Sequence, residues 1–161
     1  MFKVGDLAVY PAQGVGVIES IEKKEIGGQT QDFYIMRILE NGMIIMVPTN
    51  NAKTVGLRPI ISKEDVPKVF SILKKKSEFP NDKSSWNKRY KEFVEKLKTG
   101  SIYDVAEVLK SLVFLQEEKE LSFGERKLLD TARRLLVKEL SIAQACSEEE
   151  IDNQIRQILS L

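Results

Sequence analysis

The first third of the chain alternates between apolar and polar positions, and turn residues interrupt the alternation about every ten positions. The Gly-Gly pair at 27–28 and the Asn-Gly pair at 41–42 favour tight two-residue hairpin turns, because these residues tolerate a positive φ. Pro11 and Pro48 each end an apolar run. Residues 2–58 therefore predict four or five short strands joined by hairpins, which is the pattern of a small β-barrel.

The last predicted strand of this region breaks the alternation. Residues 43–47 (MIIMV) are apolar at every position, so one side of the strand is expected to be exposed and available to a partner. The alternative is a strand buried on both faces, which is less natural in so small a barrel. On pattern alone, an SH3-like or Tudor-like barrel without a binding role stays open beside one that docks on another protein.

From about residue 62 onward the apolar residues recur every three or four positions, which is the spacing of one face of an α-helix. Four serines stand three residues before an acidic residue. This spacing lets the hydroxyl and the carboxylate satisfy free amides at a helix start. The pairs are Ser62 with Asp65, Ser101 with Asp104, Ser122 with Glu125, and Ser147 with Glu150.

The spacing predicts five helices, at residues 63–76, 85–98, 102–118, 123–143 and 148–159. Ser84 or Ser85 is expected to cap the second. Five amphipathic helices of this length can bury their apolar faces in a compact bundle. The change from strand to helix near residues 56–62 separates two predicted domains, 1–58 and 62–161. The expected fold class is therefore α+β, a small β-barrel followed by a helical bundle.

Composition removes several classes of function. The 161 residues include no histidine and one cysteine, Cys146, so histidine bases, Cys-His nucleophiles and thiolate or histidine metal sites are excluded. Neither a phosphate-binding loop nor a dinucleotide fingerprint is present. No signal peptide or membrane span is visible, and a lone cysteine fits a reducing cytoplasm. We expect no enzyme, no cofactor, no small-molecule substrate and no membrane partner.

Charge is concentrated in one part of a nearly neutral chain. The formal net charge is +1, from 25 Lys and Arg against 24 Asp and Glu. Residues 74–98 nevertheless carry nine cationic side chains against four acidic ones, a local charge of +5. A basic cluster of this size is typical of modest contact with nucleic-acid phosphates, although a solvated helix face has the same pattern.

The only tryptophan, Trp86, opens the second predicted helix and is followed by three cations, Lys88, Arg89 and Lys91. A large flat ring beside cations is suited to wedging between DNA base pairs. At 100° per residue, however, Trp86 shares one helical stripe with Tyr90, Phe93 and Leu97, which is also how a core residue is spaced. Periodicity by itself does not decide between a DNA wedge and a core side chain.

Several motifs together resemble the bacterial CarD family of transcription regulators. They follow in order over nearly the whole chain, at residues 2–6 (FKVGD), 9–11 (VYP), 14–16 (GVG), 33–34 (FY), 55–58 (VGLR), 86–90 (WNKRY) and 121–127 (LSFGERK). Residues 37–43 (RILENGM) look particularly like the short CdnL branch of that family. The resemblance implies a Tudor-like N-terminal domain that docks on the β subunit of RNA polymerase, similar to a module of the transcription-repair coupling factor. It also implies a helical C-terminal domain that contacts promoter DNA.

The resemblance further implies particular site residues. Trp86 would wedge into the minor groove at the upstream edge of the −10 element, with low sequence specificity, and nearby cations would reach backbone phosphates at Lys88, Arg89 and Lys91. The polymerase-facing positions would be Lys24, Ile35, Met46 and Pro48. Some relatives carry arginine in place of Met46, so this contact is expected to be more apolar here.

Two functions are therefore carried forward. The first is a cytoplasmic initiation factor that docks on polymerase and stabilises the promoter open complex. The second is a protein–protein adaptor whose helical bundle binds a partner through Trp86 and Phe79, without a role at DNA.

Overall fold

The computed structural model describes residues 1–75 and 86–160, and in the second range it describes side chains from Lys88 onward. The chain divides into two compact units, Met1–Ile60 and Ile61–Leu161. The first unit holds a β-sheet and one short helix, and the second is helical. This order confirms the predicted α+β class, a small sheet domain followed by a helical bundle.

Four antiparallel strands form the sheet, in the order β1-β2-β3-β4. Their bounds are β1 Leu7–Tyr10, β2 Gly14–Ile26, β3 Gln29–Ile38 and β4 Ile44–Pro48. The predicted two-residue turn is present at Gly27 and Gly28, which both have positive φ. The second hairpin also turns at Asn41-Gly42, but its connection is longer, residues 39–43, and only Gly42 has positive φ. The sheet curls into a half-barrel, and a short helix, α1 Ala52–Val55, follows β4.

The concave core of this unit is built from alternate residues of the strands. Its buried members are Phe2, Ala8, Ile18, Tyr34, Met36, Ile38, Val47, Ala52 and Leu57. Because side chains alternate along a strand, the residues between these positions project from the opposite face. That second face is the one to which the predicted docking residues belong.

Gly16 on β2 lies where the backbone of β3 approaches too closely for a side chain. A Cβ at this position would lie 2.7 Å from the carbonyl oxygen of Arg37 and 2.7 Å from Cε of Met36. Real Cβ atoms do not approach other heavy atoms so closely. The GVG motif therefore keeps its second glycine because of strand packing rather than because of a turn.

In its described residues, 61–75 and 86–160, the second unit contains five α-helices: α2 Val66–Lys74, α3 Trp86–Lys98, α4 Ile102–Glu118, α5 Phe123–Gln144 and α6 Glu148–Leu159. Four of them agree with the predicted bounds to within one residue. The prediction for α2, 63–76, was too long: Lys63–Asp65 form a 3₁₀ turn, Pro67 occupies the first turn of the α-helix, and Lys75 is extended. The predicted caps of α3, Ser84 and Ser85, lie outside the described residues.

Two of the predicted serine caps are present and two are not. The Ser122 and Ser147 hydroxyls each accept a hydrogen bond from the amide three residues later, at helices α5 and α6. Ser62 and Ser101 make no such bond. Near Ser101, the carboxylate of Asp104 accepts a hydrogen bond of 2.7 Å from the Thr99 hydroxyl.

The helices bury one continuous hydrophobic core. Its most buried large members are Val66, Val69, Leu109, Leu112, Leu136, Leu140, Ile151 and Ile155. Helix α3 contributes Phe93 and Leu97, which are 7% and 5% exposed. Helix α3 is therefore anchored on the bundle through its middle and its C-terminal half.

Candidate protein and nucleic-acid interfaces

The four residues predicted to face polymerase share one face of the sheet. Ile35 on β3 lies opposite Met46 on β4, and Phe33, two residues earlier on β3, lies opposite Pro48. Lys24 on β2 lies opposite Gln31, which is on the same side of β3 as Ile35. Side chains two residues apart project from one side of a sheet. We call Lys24, Ile35, Met46 and Pro48 the outer sheet face.

The outer sheet face exposes apolar side chains beside an edge strand. Met46 is 45% exposed and Ile44, on the same side of β4, is 46% exposed, whereas Val47 on the core side is 2% exposed. Among the described strands, β4 pairs with β3 alone. This confirms the prediction that one side of 43–47 exposes hydrophobic residues. Exposed apolar area beside an unpaired strand edge is a feature of protein-binding surfaces.

Helix α3 carries the residues predicted to contact DNA. Trp86 is the first residue of the helix, and its side chain lies outside the described part of the structure. Its stripe continues into Tyr90, which is partly buried, and then into Phe93 and Leu97, which are core residues. The role of the Trp86 ring as a wedge that projects from the bundle stays a prediction. Phe79, the second anchor of the adaptor hypothesis, also lies outside the described residues.

The three predicted phosphate contacts do not share one environment. Lys88 and Lys91 are exposed. The Arg89 side chain is 20% exposed, and its Nη2 atom lies 3.5 Å from Oε2 of Glu125 on helix α5. Glu125 is fully buried. The first turn of α3 is therefore joined to the start of α5 by an ion pair of which one member has no contact with solvent.

Glu125 has two tasks, one for each oxygen. Its Oε1 atom accepts a hydrogen bond from the amide of Ser122 at 3.0 Å, which completes the capping box of α5, and lies 3.5 Å from Nζ of Lys119. Its Oε2 atom faces Arg89. Burial alone raises the pKa of Glu125, but hydrogen bonds from Ser122 and the charges of Lys119 and Arg89 outweigh burial and hold the pKa below its ordinary value. The carboxylate is therefore ionised at neutral pH.

A second contact joins the same two helices. A Cβ added at Gly124 would lie 3.1 Å from Cε2 of Tyr90, so the aromatic ring packs directly on the backbone of α5. The neighbouring Phe123 is 83% exposed. We call Arg89, Tyr90, Gly124 and Glu125 the α3–α5 corner.

Sequence reasoning identified part of this corner. The Ser-x-x-acid spacing predicted Glu125 as a capping residue, and the local charge singled out Arg89 as a cation. Their pairing was missed, because 36 positions separate them and no local spacing connects them. The signal available in the sequence was the glycine that follows Phe123, since a glycine inside a helix start often marks a close approach.

The described residues hold neither a candidate metal cluster nor a candidate membrane-spanning helix. Within 1–75 and 86–160, no three Cys, Asp or Glu side chains come together as a metal site would require. None of the described helices combines the length and the apolar character needed to cross a bilayer.

Two family models match the chain one after the other. The "CarD-like/TRCF RID domain" matches residues 2–61, and "CarD, C-terminal domain" matches residues 68–156. YdeB of Bacillus subtilis (strain 168), which carries a provisional assignment as a transcription factor, is 34% identical over 154 residues. That alignment covers 94% of this chain and 97% of YdeB.

Two solved structures resemble the N-terminal unit. CdnLNt from Myxococcus xanthus is 61% identical and covers 38% of this chain and 87% of its own, with a TM-score of 0.33. The N-terminal domain of Myxococcus xanthus CarD, a 72-residue solution NMR structure, is 41% identical and covers 37% of this chain and 79% of its own, also with a TM-score of 0.33. The two family models together extend over most of the chain, and YdeB matches almost from end to end. The chain therefore belongs to the CarD family of transcription regulators.

Proposed function

We propose that this protein is a transcription initiation regulator that binds the β subunit of RNA polymerase and stabilises the promoter open complex at the upstream edge of the −10 element. It acts in the bacterial cytoplasm, without catalysis and without a cofactor. The observation that carries the proposal is that both CarD-family domains match in order along one chain. One unit offers an apolar docking face, and the other offers cations at a helix start.

The outer sheet face supports the polymerase half of the proposal. Met46 and Ile35 provide apolar contact area at the centre of this face, and Lys24 provides a charge at the far end of β2. The free edge of β4 adds unpaired backbone groups that an extended segment can bind. A docking surface of this kind brings the second unit to the promoter at high effective concentration.

The exposed cations of α3 support the DNA half. Lys88 and Lys91 are suited to phosphate oxygens, which fix position without reading sequence. Arg89, held against Glu125, is the third cation of the proposed contact. Trp86, at the first residue of the helix, is the proposed wedge in the minor groove. With about three phosphate contacts, binding to DNA alone is expected to be weak and to fall steeply with salt.

The mechanism follows from differential binding. A ring inserted at the fork replaces stacking that melted bases have lost, so it binds the open state better than the closed state. Each 1.4 kcal/mol of this difference shifts the ratio of open to closed complex about tenfold. A weak contact that exists only in the open state is therefore sufficient for a large effect on its lifetime.

The DNA half is tested with Trp86→Ala, with Trp86→Phe as the matched control that keeps an aromatic ring. We expect Trp86→Ala to keep the fold and polymerase binding and to shorten the open-complex lifetime about tenfold, and Trp86→Phe to shorten it less. Lifetimes are measured by competitor challenge of preformed complexes. If Trp86→Ala unfolds the helical unit, Trp86 is a core residue and the wedge is wrong. An unchanged lifetime with intact polymerase binding favours the adaptor function instead.

The polymerase half is tested with Met46→Asp. A charge on the outer sheet face should abolish capture of the β subunit, because the carboxylate is desolvated on docking, while the sheet stays folded. Ile21→Asp is the matched control. The exposed fraction of Ile21, 43%, is similar to the 45% of Met46, but Ile21 belongs to the other side of the sheet. Capture that is undiminished by Met46→Asp, or lost equally in Ile21→Asp, contradicts the assignment of this face.

A further inference from the structure

The ion pair at the α3–α5 corner includes two buried polar atoms that make no hydrogen bond within the described residues. Glu125 Oε2 and Arg89 Nε are both buried, and among the described residues neither has a hydrogen-bond partner. The capping box of α5 is complete with Oε1 alone. The second oxygen of Glu125 is therefore directed at Arg89 without serving the cap, while the first oxygen also faces Lys119.

A buried charge is costly unless a nearby opposite charge compensates for it. A capping box accepts a neutral glutamine as readily as glutamate, so the cap gives no reason for a charge inside the protein. The chain itself provides the comparison: the same serine spacing caps α6, and there the acidic residue, Glu150, is exposed. The difference at α5 is the presence of two cations beside the carboxylate: Lys119 near Oε1, and Arg89, which comes from helix α3, near Oε2.

We propose that Glu125 is a positioning residue: through Arg89 it holds the first turn of α3 against the start of α5, and so fixes the direction in which Trp86, Lys88 and Lys91 meet promoter DNA. The DNA part of this statement rests on the proposed function. The positioning itself does not, because it concerns the protein alone.

The contact between Gly124 and Tyr90 supports this role independently. The ring of Tyr90 lies where a Cβ of residue 124 would be 3.1 Å away, so the two helices touch at the residue next to Glu125. Tyr90 and Arg89 are neighbours on α3, and Gly124 and Glu125 are neighbours on α5. One steric contact and one ionic contact side by side restrict both the distance and the rotation of the first turn.

Glu125→Gln is the direct test, because it keeps the oxygen that caps α5 and removes the charge that faces Arg89. Trp86 is the only tryptophan, three residues from Arg89, so its fluorescence anisotropy and acrylamide quenching report on the first turn without DNA. We expect Glu125→Gln to change both signals at temperatures far below unfolding. We expect Glu150→Gln, the same substitution in the exposed cap of α6, to leave them unchanged.

Arg89→Gln and the double variant separate positioning from independent roles. If the two residues position the first turn only through their ion pair, each single variant changes the Trp86 signals as much as the double variant does. Additive changes, or a Trp86 signal that is the same in Glu125→Gln as in the wild type, overturn the proposal. Should Glu125→Gln unfold the helical unit, Arg89→Gln keeps the complete cap, and an unchanged Trp86 signal in that variant overturns the proposal as well.

The open-complex lifetime gives the functional readout. Glu125→Gln should shorten it on the order of tenfold, because coupled contacts are typically worth 0.5–3 kcal/mol and 1.4 kcal/mol is tenfold. Polymerase capture should be unchanged. If the wild-type protein does not prolong the open complex at all, the proposed function fails, while the fluorescence comparison still decides whether Glu125 positions the turn.

Discussion

The two units of this protein stabilise their proposed binding surfaces by different physical means. On the outer sheet face, Ile35 and Met46 are held by strand register; Met46 is exposed and Ile35 is half-buried. At the α3–α5 corner, position depends on a buried carboxylate and its cations. An apolar patch tolerates small displacements of its partner, whereas cations and a proposed wedge at a DNA fork must be oriented.

The same contrast is visible in two ion pairs of identical chemistry. Arg37 and Glu19 pair across β2 and β3, and both side chains are exposed by more than a third. Arg89 and Glu125 pair across two helices, with 20% and 0% exposure. Solvent screens the first pair, so its removal should matter little. Loss of Arg89 from the second pair leaves the buried Glu125 with less compensation, from Lys119 and the Ser122 amide, so its removal should matter more.

The largest expected effect on the sheet unit comes from Gly16→Ala. The new methyl group meets the backbone oxygen of Arg37 at 2.7 Å, and backbone cannot move aside without disturbing the pairing of β2 with β3. We expect a loss of about 1–3 kcal/mol in the free energy of unfolding of that unit, the usual cost of overpacking. Amide hydrogen exchange of the strands measures it in the full chain.

Gly124→Ala is the matched comparison in the helical unit. Its Cβ would lie 3.1 Å from the Tyr90 ring, so that the side chain needs to shift by only a few tenths of an ångström, and alanine favours the helix. The cost should be smaller than for Gly16→Ala, below about 1 kcal/mol. A larger loss at Gly124 than at Gly16 would mean that the corner, rather than the sheet, depends on steric fit.

Acid should weaken the helical unit through a second, partly buried ion pair. Arg133 on α5 donates two hydrogen bonds of 2.6 Å to Asp152 on α6. Burial raises the pKa of Asp152, but Arg133 and Arg156 outweigh it, so the pKa is below its ordinary value. The stabilisation is complete above about pH 4, the ordinary pKa, and is lost as the pH falls through the folded-state value.

Asp152→Asn tests this dependence. We expect it to cost about 1 kcal/mol at neutral pH and to make the free energy of unfolding decline less steeply below pH 4, as followed by Trp86 fluorescence in urea. Asp130→Asn, the same change at an exposed position of α5, is the control. An acid dependence that is identical in Asp152→Asn and the wild type would assign the effect to other carboxyl groups, with Glu125 the next to examine.

Much of the fold could be predicted from local sequence. Hairpin dipeptides and alternation predicted the sheet, and the apolar run at 43–47 predicted its exposed strand. Serine spacing predicted two of four caps correctly. It was wrong at Ser101 and at Ser62, whose hydroxyls accept no hydrogen bond from a helix amide; at Ser62 a 3₁₀ turn precedes α2. Local spacing indicates which serine could cap a helix, but it does not show whether the hydroxyl makes the hydrogen bond.

The sequence by itself determined the order of sheet and helical bundle, the exposed apolar side of residues 43–47, and the cations that follow Trp86. It did so because strand and helix periods depend on neighbours in the chain. Only the tertiary structure decided that Arg89 meets a buried Glu125 while Lys88 and Lys91 stay exposed. The partner of a charged residue is not marked by a regular spacing in the sequence. The energy of an ion pair depends on distance and burial, which arise only when helices remote in sequence pack together.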